Sequence, residues 1–115
     1  MTYKILSADN WAAFQAAGRY GGSAVDLADG YIHMSTAAQV AETARKHYAG
    51  RDRLMLLTVD LDALGEALKW EPSRGGDLFP HLYADLPLSA VTASQGFAVA
   101  ADGAFRFEGE APSWA

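Results

Sequence analysis

The segment Leu54–Val59 is an almost continuous apolar run, and it constrains the fold of this chain more than any other feature. Arg53 and Asp60 bound the run, so its length suits a single strand. Apolar side chains that point alternately to both sides of a strand indicate that both faces are covered. We therefore predict a central strand around which a sheet assembles.

The N-terminal region predicts a strand followed by a helix. Tyr3–Ser7 has the composition of a first strand, and Asp9 is placed to cap the helix that follows it. Gly18 can end that helix in a left-handed conformation. The segment Gly21–Gly30 that comes next has too little periodicity for a helix or a strand, and we predict a loop there.

A second helix is predicted after Thr36. This residue is followed three positions later by Gln39, which is the spacing of a capping box. Small and apolar residues then recur at helical spacing, and basic residues in the last turn precede Gly50. Both predicted helices therefore lie in the N-terminal half of the chain.

Alternating segments predict further strands. They are Tyr31–Ser35, Ala67–Glu71 before Pro72, Phe79–Tyr83, and a hairpin of Phe97–Ala101 and Ala104–Phe107 around an Asp-Gly turn. Ser73–Asp77 is predicted to be a mobile loop. The expected fold is an α+β single domain over residues 1–115, with a mixed, mainly antiparallel, twisted sheet and two helices.

Composition excludes several classes of function. The chain has no cysteine, so it has neither a disulfide framework nor a thiolate metal site nor a cysteine nucleophile. Its formal net charge of −5 argues against non-specific nucleic-acid binding, which needs a basic stripe. No segment has the pattern of a signal peptide or of a membrane span, so we expect a cytoplasmic protein without a membrane partner. The oligomeric state stays open.

Strand alternation predicts one polar site. In the strand that ends at Ser35, apolar side chains take one face and leave His33 and Ser35 on the other. Glu71, His81 and Tyr83 hold comparable positions on two later strands. If these strands are neighbours, the polar groups converge on one concavity beside the Gly75-Gly76 loop.

Each of these residues can instead have a purely structural role. Either histidine can be a hydrogen-bonded structural residue, and Ser35 and Thr36 can serve only to cap the next helix. Glu71 can be a solvated strand end. The histidines and Glu71 lack the spacing of a metal site, and Ser35 does not lie in a Gly-x-Ser-x-Gly elbow, so neither a metal centre nor a serine triad is predicted.

Three motifs together resemble a known family. They are Gly30-Tyr31-Ile32-His33-Met34-Ser35-Thr36, Trp70-Glu71, and Phe79-Pro80-His81-Leu82-Tyr83 followed by Pro87-Leu88. In this combination the chain is similar, from about Tyr3 to Val91, to the bacterial and plant domain of unknown function nine-five-two. The resemblance implies a compact α+β domain and no settled activity.

A more remote resemblance links His33-Met34-Ser35 to the ADP-ribosyltransferase fold. There, a His-x-Ser or His-x-Thr strand holds the nicotinamide ribose side of NAD, and a glutamate on a later strand assists at the reacting ribose carbon. The resemblance implies NAD as the ligand and Glu71 as the glutamate, with Arg19 or Arg74 on the pyrophosphate. The predicted catalytic residues are Glu71 and His81, and the predicted ligand-binding residues are His33, Ser35, Thr36, Arg74 and Tyr83.

Three hypotheses about function follow. The first is a small domain that binds NAD or a nucleotide in one polar cleft and transfers or hydrolyses an ADP-ribosyl group. The second is a non-catalytic module that binds a small polar or anionic metabolite in the same cleft. The third is a protein-interaction domain in which the motif residues serve only folding.

Overall fold

The predicted central strand forms the middle of a five-stranded antiparallel sheet in the computed structural model of this chain. The structure describes residues 1–115, except for the side chain of Arg74. The strand order is β10-β9-β5-β1-β4. The strands are β1 (Thr2–Ser7), β4 (Ser35–Thr36), β5 (Arg51–Val59), β9 (Val91–Val99) and β10 (Phe105–Phe107).

Two clusters of buried side chains cover the two faces of this sheet. Leu54 and Leu56 of β5 belong to one cluster, and Leu57 and Val59 belong to the other. This division follows the alternation of side chains along a strand. The prediction of a strand covered on both faces is therefore confirmed.

A second, three-stranded antiparallel sheet carries the motif residues. Its order is β3-β7-β6, with β3 at Ile32–His33, β6 at Leu68–Pro72 and β7 at Leu78–Leu82. A two-stranded sheet joins β2 (Arg19–Tyr20) to β8 (Leu86–Pro87). Every strand pair among these described elements is antiparallel, which agrees with the predicted mainly antiparallel arrangement.

The predicted strand Tyr31–Ser35 is divided at Met34. The residues before Met34 pair with β7, whereas the residues after it pair with β1 in the large sheet. Met34 itself is 3% exposed and packs in the hydrophobic core. The chain therefore crosses from one sheet to the other at this residue, and the prediction of one continuous strand was wrong.

The first helix, α1 (Ala8–Ala17), ends as predicted but begins with a different cap. The Ser7 hydroxyl accepts a hydrogen bond from the Asn10 backbone nitrogen at 3.0 Å, and Asp9 lies inside the first turn. A carboxylate in that position still favours the helix dipole. Gly18 has φ 79°, which confirms the left-handed end of the helix.

The segment predicted to be a loop contains the helix α2 (Ala24–Asp29). Ser23 caps it, because its hydroxyl accepts from the Asp26 backbone nitrogen while the Asp26 carboxylate accepts from the Ser23 backbone nitrogen. This is a capping box with aspartate in place of the usual Glu or Gln. Among the described residues there are consequently three α-helices, not the two that were predicted.

The third helix, α3 (Val40–Tyr48), begins later than its capping-box pattern predicted. The Gln39 side-chain oxygen does accept from the Thr36 backbone nitrogen at 3.1 Å. However, Thr36 to Gln39 form a separate turn, closed by the Gln39 backbone nitrogen on the Thr36 carbonyl at 3.0 Å. Val40 and Ala44 then pack into the core from the buried face of the helix. No helix in the described part of the chain is long and apolar enough to cross a membrane.

Candidate functional site

A buried ion pair joins the first strand to the second helix. The Lys4 ammonium of β1 lies 3.0 Å from Oδ2 and 3.3 Å from Oδ1 of Asp26 in α2. The two side chains are only 7% and 2% exposed. Lys4 also donates to the His33 carbonyl at 2.9 Å. The pair thus ties the strand, the helix and the motif segment together beneath the surface.

Asp26 stays ionised although it is buried. Burial alone would raise the pKa of its carboxyl, but hydrogen bonds from His33, the Lys4 charge and two backbone donors act in the opposite direction. The result is a pKa well below the ordinary aspartate value. For Lys4, burial lowers the pKa of the ammonium, and the attraction of Asp26 only partly offsets this effect. The charged state of Lys4 and that of Asp26 therefore stabilise each other.

His33 is held between two carboxylates. Its Nδ1 lies 2.6 Å from Oδ1 of Asp26, and its Nε2 lies 2.8 Å from Oδ2 of Asp29. An ionised carboxylate can only accept hydrogen bonds. When both acids are ionised, both ring nitrogens must carry protons to make these contacts. Asp26 is the buried anchor of the ring, whereas the Asp29 side chain is 48% exposed and can be displaced.

His81 is the cross-strand partner of His33, since β3 and β7 align these two residues. Its Nδ1 lies 2.9 Å from Oε1 of Glu71, and the Tyr83 hydroxyl donates to the same oxygen at 2.6 Å. The hydrogen bond from Tyr83, followed by that from His81, lowers the pKa of Glu71. The same bond raises the pKa of Tyr83 to about 12. An ionised Glu71 therefore orients His81 through Nδ1.

Tyr31 brings the two imidazoles into one cluster. Its ring stacks on His81 with centroids 4.0 Å apart and an interplanar angle of 16°. It also contacts His33 at 4.7 Å and Tyr83 at 5.3 Å. The centroids of the two histidine rings lie 5.8 Å apart. The predicted convergence of the motif segments thus corresponds to one aromatic and acidic cluster.

A cleft of about 640 Å³ opens beside this cluster. β4 pairs with β1 only at Thr2 and Tyr3, and the remainder of β1, residues 4–7, lines the cleft between α2 and α3. His33, Ser35 and His81 belong to the lining, as do Lys46 and Arg51 of the α3 side. Histidines, a hydroxyl and two cations therefore share one cavity with an open strand edge.

The predicted site residues divide into two groups. His33, Ser35 and His81 line the cleft, whereas Glu71 is connected to it through its hydrogen bond with His81, and Tyr83 is connected through Glu71. The Ser35 hydroxyl donates to Thr43 at 3.3 Å. Thr36 is absent from the lining and pairs with Thr2 at the sheet edge.

Arg19 and Arg74 are the two arginines expected at a pyrophosphate. The side chain of Arg74 lies outside the described residues. Arg19 lies 3.6 Å from Asp85 and is absent from the cleft lining. Ser73, which precedes the Gly75-Gly76 loop, contributes to the cleft lining.

Sequence reasoning missed four residues of the site, which are Lys4, Asp26, Asp29 and Tyr31. The Ser23-x-x-Asp26 spacing was a readable helix start, and it would have placed Asp26 and Asp29 on one helix. Tyr31 shares the parity of His33 and Ser35. The partnership of Lys4 with a carboxylate 22 positions away has no local signal. No group of three or more metal-ligating side chains converges within the described part of the chain.

Comparisons with known proteins agree with the family resemblance. The crystal structure of protein CC0527 from Caulobacter crescentus is 52% identical, with a TM-score of 0.86 over 91% of this chain and 92% of that one. The solution NMR structure of CC0527 is 54% identical, with a TM-score of 0.78 over 89% and 88% of the two chains. No curated protein matches. A model of the family described as "Protein of unknown function (DUF952)" matches residues 5–94, and the chain therefore belongs to the DUF952 family.

Proposed function

We propose that this protein binds NAD or a related ADP-ribosyl compound in the cleft between α2 and α3 and hydrolyses or transfers the ADP-ribosyl group. One observation carries the proposal. Two imidazoles, each held through Nδ1 by a carboxylate, lie 5.8 Å apart beside the cleft. Such an arrangement lets both imidazoles act on the same ribose when it is bound in the cleft beside them.

The size and charge of the cleft support a nucleotide-type ligand. A volume of about 640 Å³ falls within the range of small-molecule and cofactor pockets. Lys46 and Arg51 bring exposed cationic groups to the lining, although the chain as a whole carries a net charge of −5. Phosphate groups are attracted by such local cations. The histidines supply the ribose end of the site, and these cations supply the phosphate end.

The hydrolytic step assigns a separate role to each histidine. Glu71 accepts from Nδ1 of His81, which leaves Nε2 as the basic nitrogen that takes a proton from water. The water oxygen bonds to the ribose C1′, and the bond from C1′ to nicotinamide breaks with its electron pair leaving on nicotinamide. Asp29, which His33 orients, provides negative charge for the oxocarbenium-like ribose. Glu71 is a positioning residue here, since it acts through His81.

A non-catalytic binding module is the second candidate, and one observation favours it. Both nitrogens of His33 are engaged by carboxylates, and Asp26 is in turn neutralised by Lys4. A site whose charges are already balanced can hold a ligand without chemistry. The two candidates differ only in turnover, because both place the ligand in the same cleft.

Calorimetry followed by product analysis tests the proposal. We expect heat on titration with NAD or ADP-ribose at millimolar concentration, and weaker binding in Lys46→Gln than in the matched control Arg106→Gln on β10. Release of nicotinamide that disappears in His81→Gln would support the hydrolytic function. Binding without any release would support the second candidate. Absence of heat for NAD, ADP-ribose and nucleotide phosphates would refute both.

A further inference from the structure

β6 is an outer strand of the three-stranded sheet, and two backbone hydrogen bonds define which of its groups face outward. The Ala67 carbonyl accepts from the Tyr83 nitrogen at 2.8 Å, so this pair is bonded across the ladder between β6 and β7. The Pro80 carbonyl instead accepts from the Met34 nitrogen at 3.1 Å on the β3 side, and proline has no N–H. Bonded and non-bonded pairs alternate along an antiparallel ladder. Trp70, which lies opposite Pro80, therefore directs its N–H and C=O away from β7.

Trp70 carries the hydrogen-bond donor of this outer edge. Leu68 and Pro72 face outward as well, because the backbone alternates with a period of two residues. The Leu68 N–H already donates to the Gly65 carbonyl, and Pro72 has no N–H. Among the described residues of β6, Trp70 is therefore the outward-facing residue that offers both a donor and an acceptor. Such an edge can pair with a strand of another chain.

The side chains beside this edge are apolar on one face of the sheet and charged on the other. Trp70 is 46% exposed, and Leu78, which lies diagonally across from it on the same face, is 52% exposed. Lys69 and Glu71 flank Trp70 and point to the opposite face. Exposed apolar side chains next to an outer strand indicate a protein partner.

We propose that two copies of this chain associate through β6, in an antiparallel pair about a two-fold axis at Trp70. Each Trp70 N–H then donates to the Trp70 carbonyl of the other copy. Lys69 of each copy lies opposite Glu71 of the other, so the same attraction forms twice. This self-complementary pattern is why the partner is a second copy of the chain. The inference does not depend on what the cleft binds.

Charge also selects the register of this pairing. A slip of two residues in one direction places Lys69 opposite Lys69, and a slip in the other direction places Glu71 opposite Glu71. Like charges directly opposite each other are destabilising. Glu71 contacts His81 and Tyr83 through Oε1, and its Oε2 can accept from Lys69 of the second copy. The pairing thus brings a cation to the carboxylate that orients His81.

Sedimentation velocity from micromolar to millimolar concentration tests the association. We expect a monomer–dimer equilibrium for the unmodified protein, and a dimer at least about tenfold weaker in Lys69→Glu, because both attractive pairs become repulsive. Arg106→Glu is the matched control, since it makes the same charge change at an exposed position of another outer strand, β10. It should leave the equilibrium within about twofold. A monomer at every concentration, or equal weakening by both variants, would overturn the proposal.

A mixture of two variants tests the register. Lys69→Glu has acidic residues on both sides of Trp70, and Glu71→Lys has basic residues on both sides. Each should be monomeric alone, and the two should associate when mixed, because every opposite pair is then attractive. If both variants fold by circular dichroism but do not associate, the proposed register is wrong.

Trp70→Cys is a second measurement that does not require Glu71→Lys to fold. The chain has no other cysteine. Opposite residues in a hydrogen-bonded pair have Cα atoms about 5.5 Å apart, which is within the range of a disulfide. Mild oxidation should link Trp70→Cys into a dimer much faster than the control Arg106→Cys. Equal rates of linkage would overturn the assignment of Trp70 to the axis.

Discussion

Asp26→Asn should destabilise this protein far more than the loss of an ordinary surface charge. The substitution keeps the shape of the side chain but removes the charge that faces the Lys4 ammonium. That ammonium is only 7% exposed, and its other hydrogen bond goes to the uncharged His33 carbonyl at 2.9 Å. Breaking a buried ion pair on one side costs about 3–5 kcal/mol, because the other charge stays buried. For a domain of this size, that corresponds to a fall of roughly 10–20 °C in melting temperature.

Urea and thermal unfolding, each followed by circular dichroism, measure this loss. Asp9→Asn is the matched control, since the pair of Asp9 with Arg53 has side chains 82% and 71% exposed and should contribute less than about 1 kcal/mol. The double variant Lys4→Met/Asp26→Asn should recover part of the stability, because it removes the unpaired buried ammonium and keeps a side-chain oxygen for the Ser23 and His33 amides. A loss in Asp26→Asn no larger than that in Asp9→Asn would refute the reasoning.

The pH dependence of the stability of Asp26→Asn is a second test of the contact between Lys4 and Asp26. Burial already lowers the pKa of Lys4 from 10.5, and the variant lacks the carboxylate that raises it. The folded variant thus releases this proton at a lower pH than the unfolded chain does. Its stability should rise as the pH increases toward 10.5, because the folded state then no longer holds a buried unpaired ammonium.

Three further predictions concern the site. The unmodified protein should lose stability as the pH falls below about 4, because the folded-state pKa of Asp26 lies below its ordinary value of 3.8; guanidine unfolding at stepped pH checks this, and Asp26→Asn should show a shallower acid dependence. Glu71→Gln should lower kcat for NAD hydrolysis at least about tenfold with little change in KM, since Glu71 positions His81; equal kcat would remove Glu71 from the mechanism. Asp29→Asn should lower kcat for NAD hydrolysis at least about tenfold, because it removes the negative charge that stabilises the oxocarbenium-like ribose; an unchanged kcat would contradict that role.

The local sequence pattern was sufficient to predict several of the secondary-structure elements. The apolar run at Leu54–Val59 predicted the central strand, and Gly18 predicted the end of the first helix. The Asp102-Gly103 turn predicted the hairpin that β9 and β10 form. These features depend on residues within a few positions of one another, and so a single sequence carries them.

The features that the local sequence pattern did not predict depend on which strands and helices pack together in the folded chain. Nothing local indicates that the chain leaves one sheet and enters another at Met34, because that division depends on which strands lie on either side. The helix at Ala24–Asp29 was hidden by flanking glycines, and its capping box was the one available signal. Strand parity suggested that His33 and His81 meet, but it could not distinguish Glu71 behind His81 from Glu71 in the cavity.

The open edge of β1 determines which parts of the cleft can set its ligand selectivity. A molecule lying against residues 4–7 meets main-chain amides and carbonyls, which every amino acid except proline provides. Selectivity must then come from the side chains of α2 and α3 on the two sides of the cleft. Relatives that share this scaffold can therefore accept different molecules without rebuilding the surface on which those molecules rest.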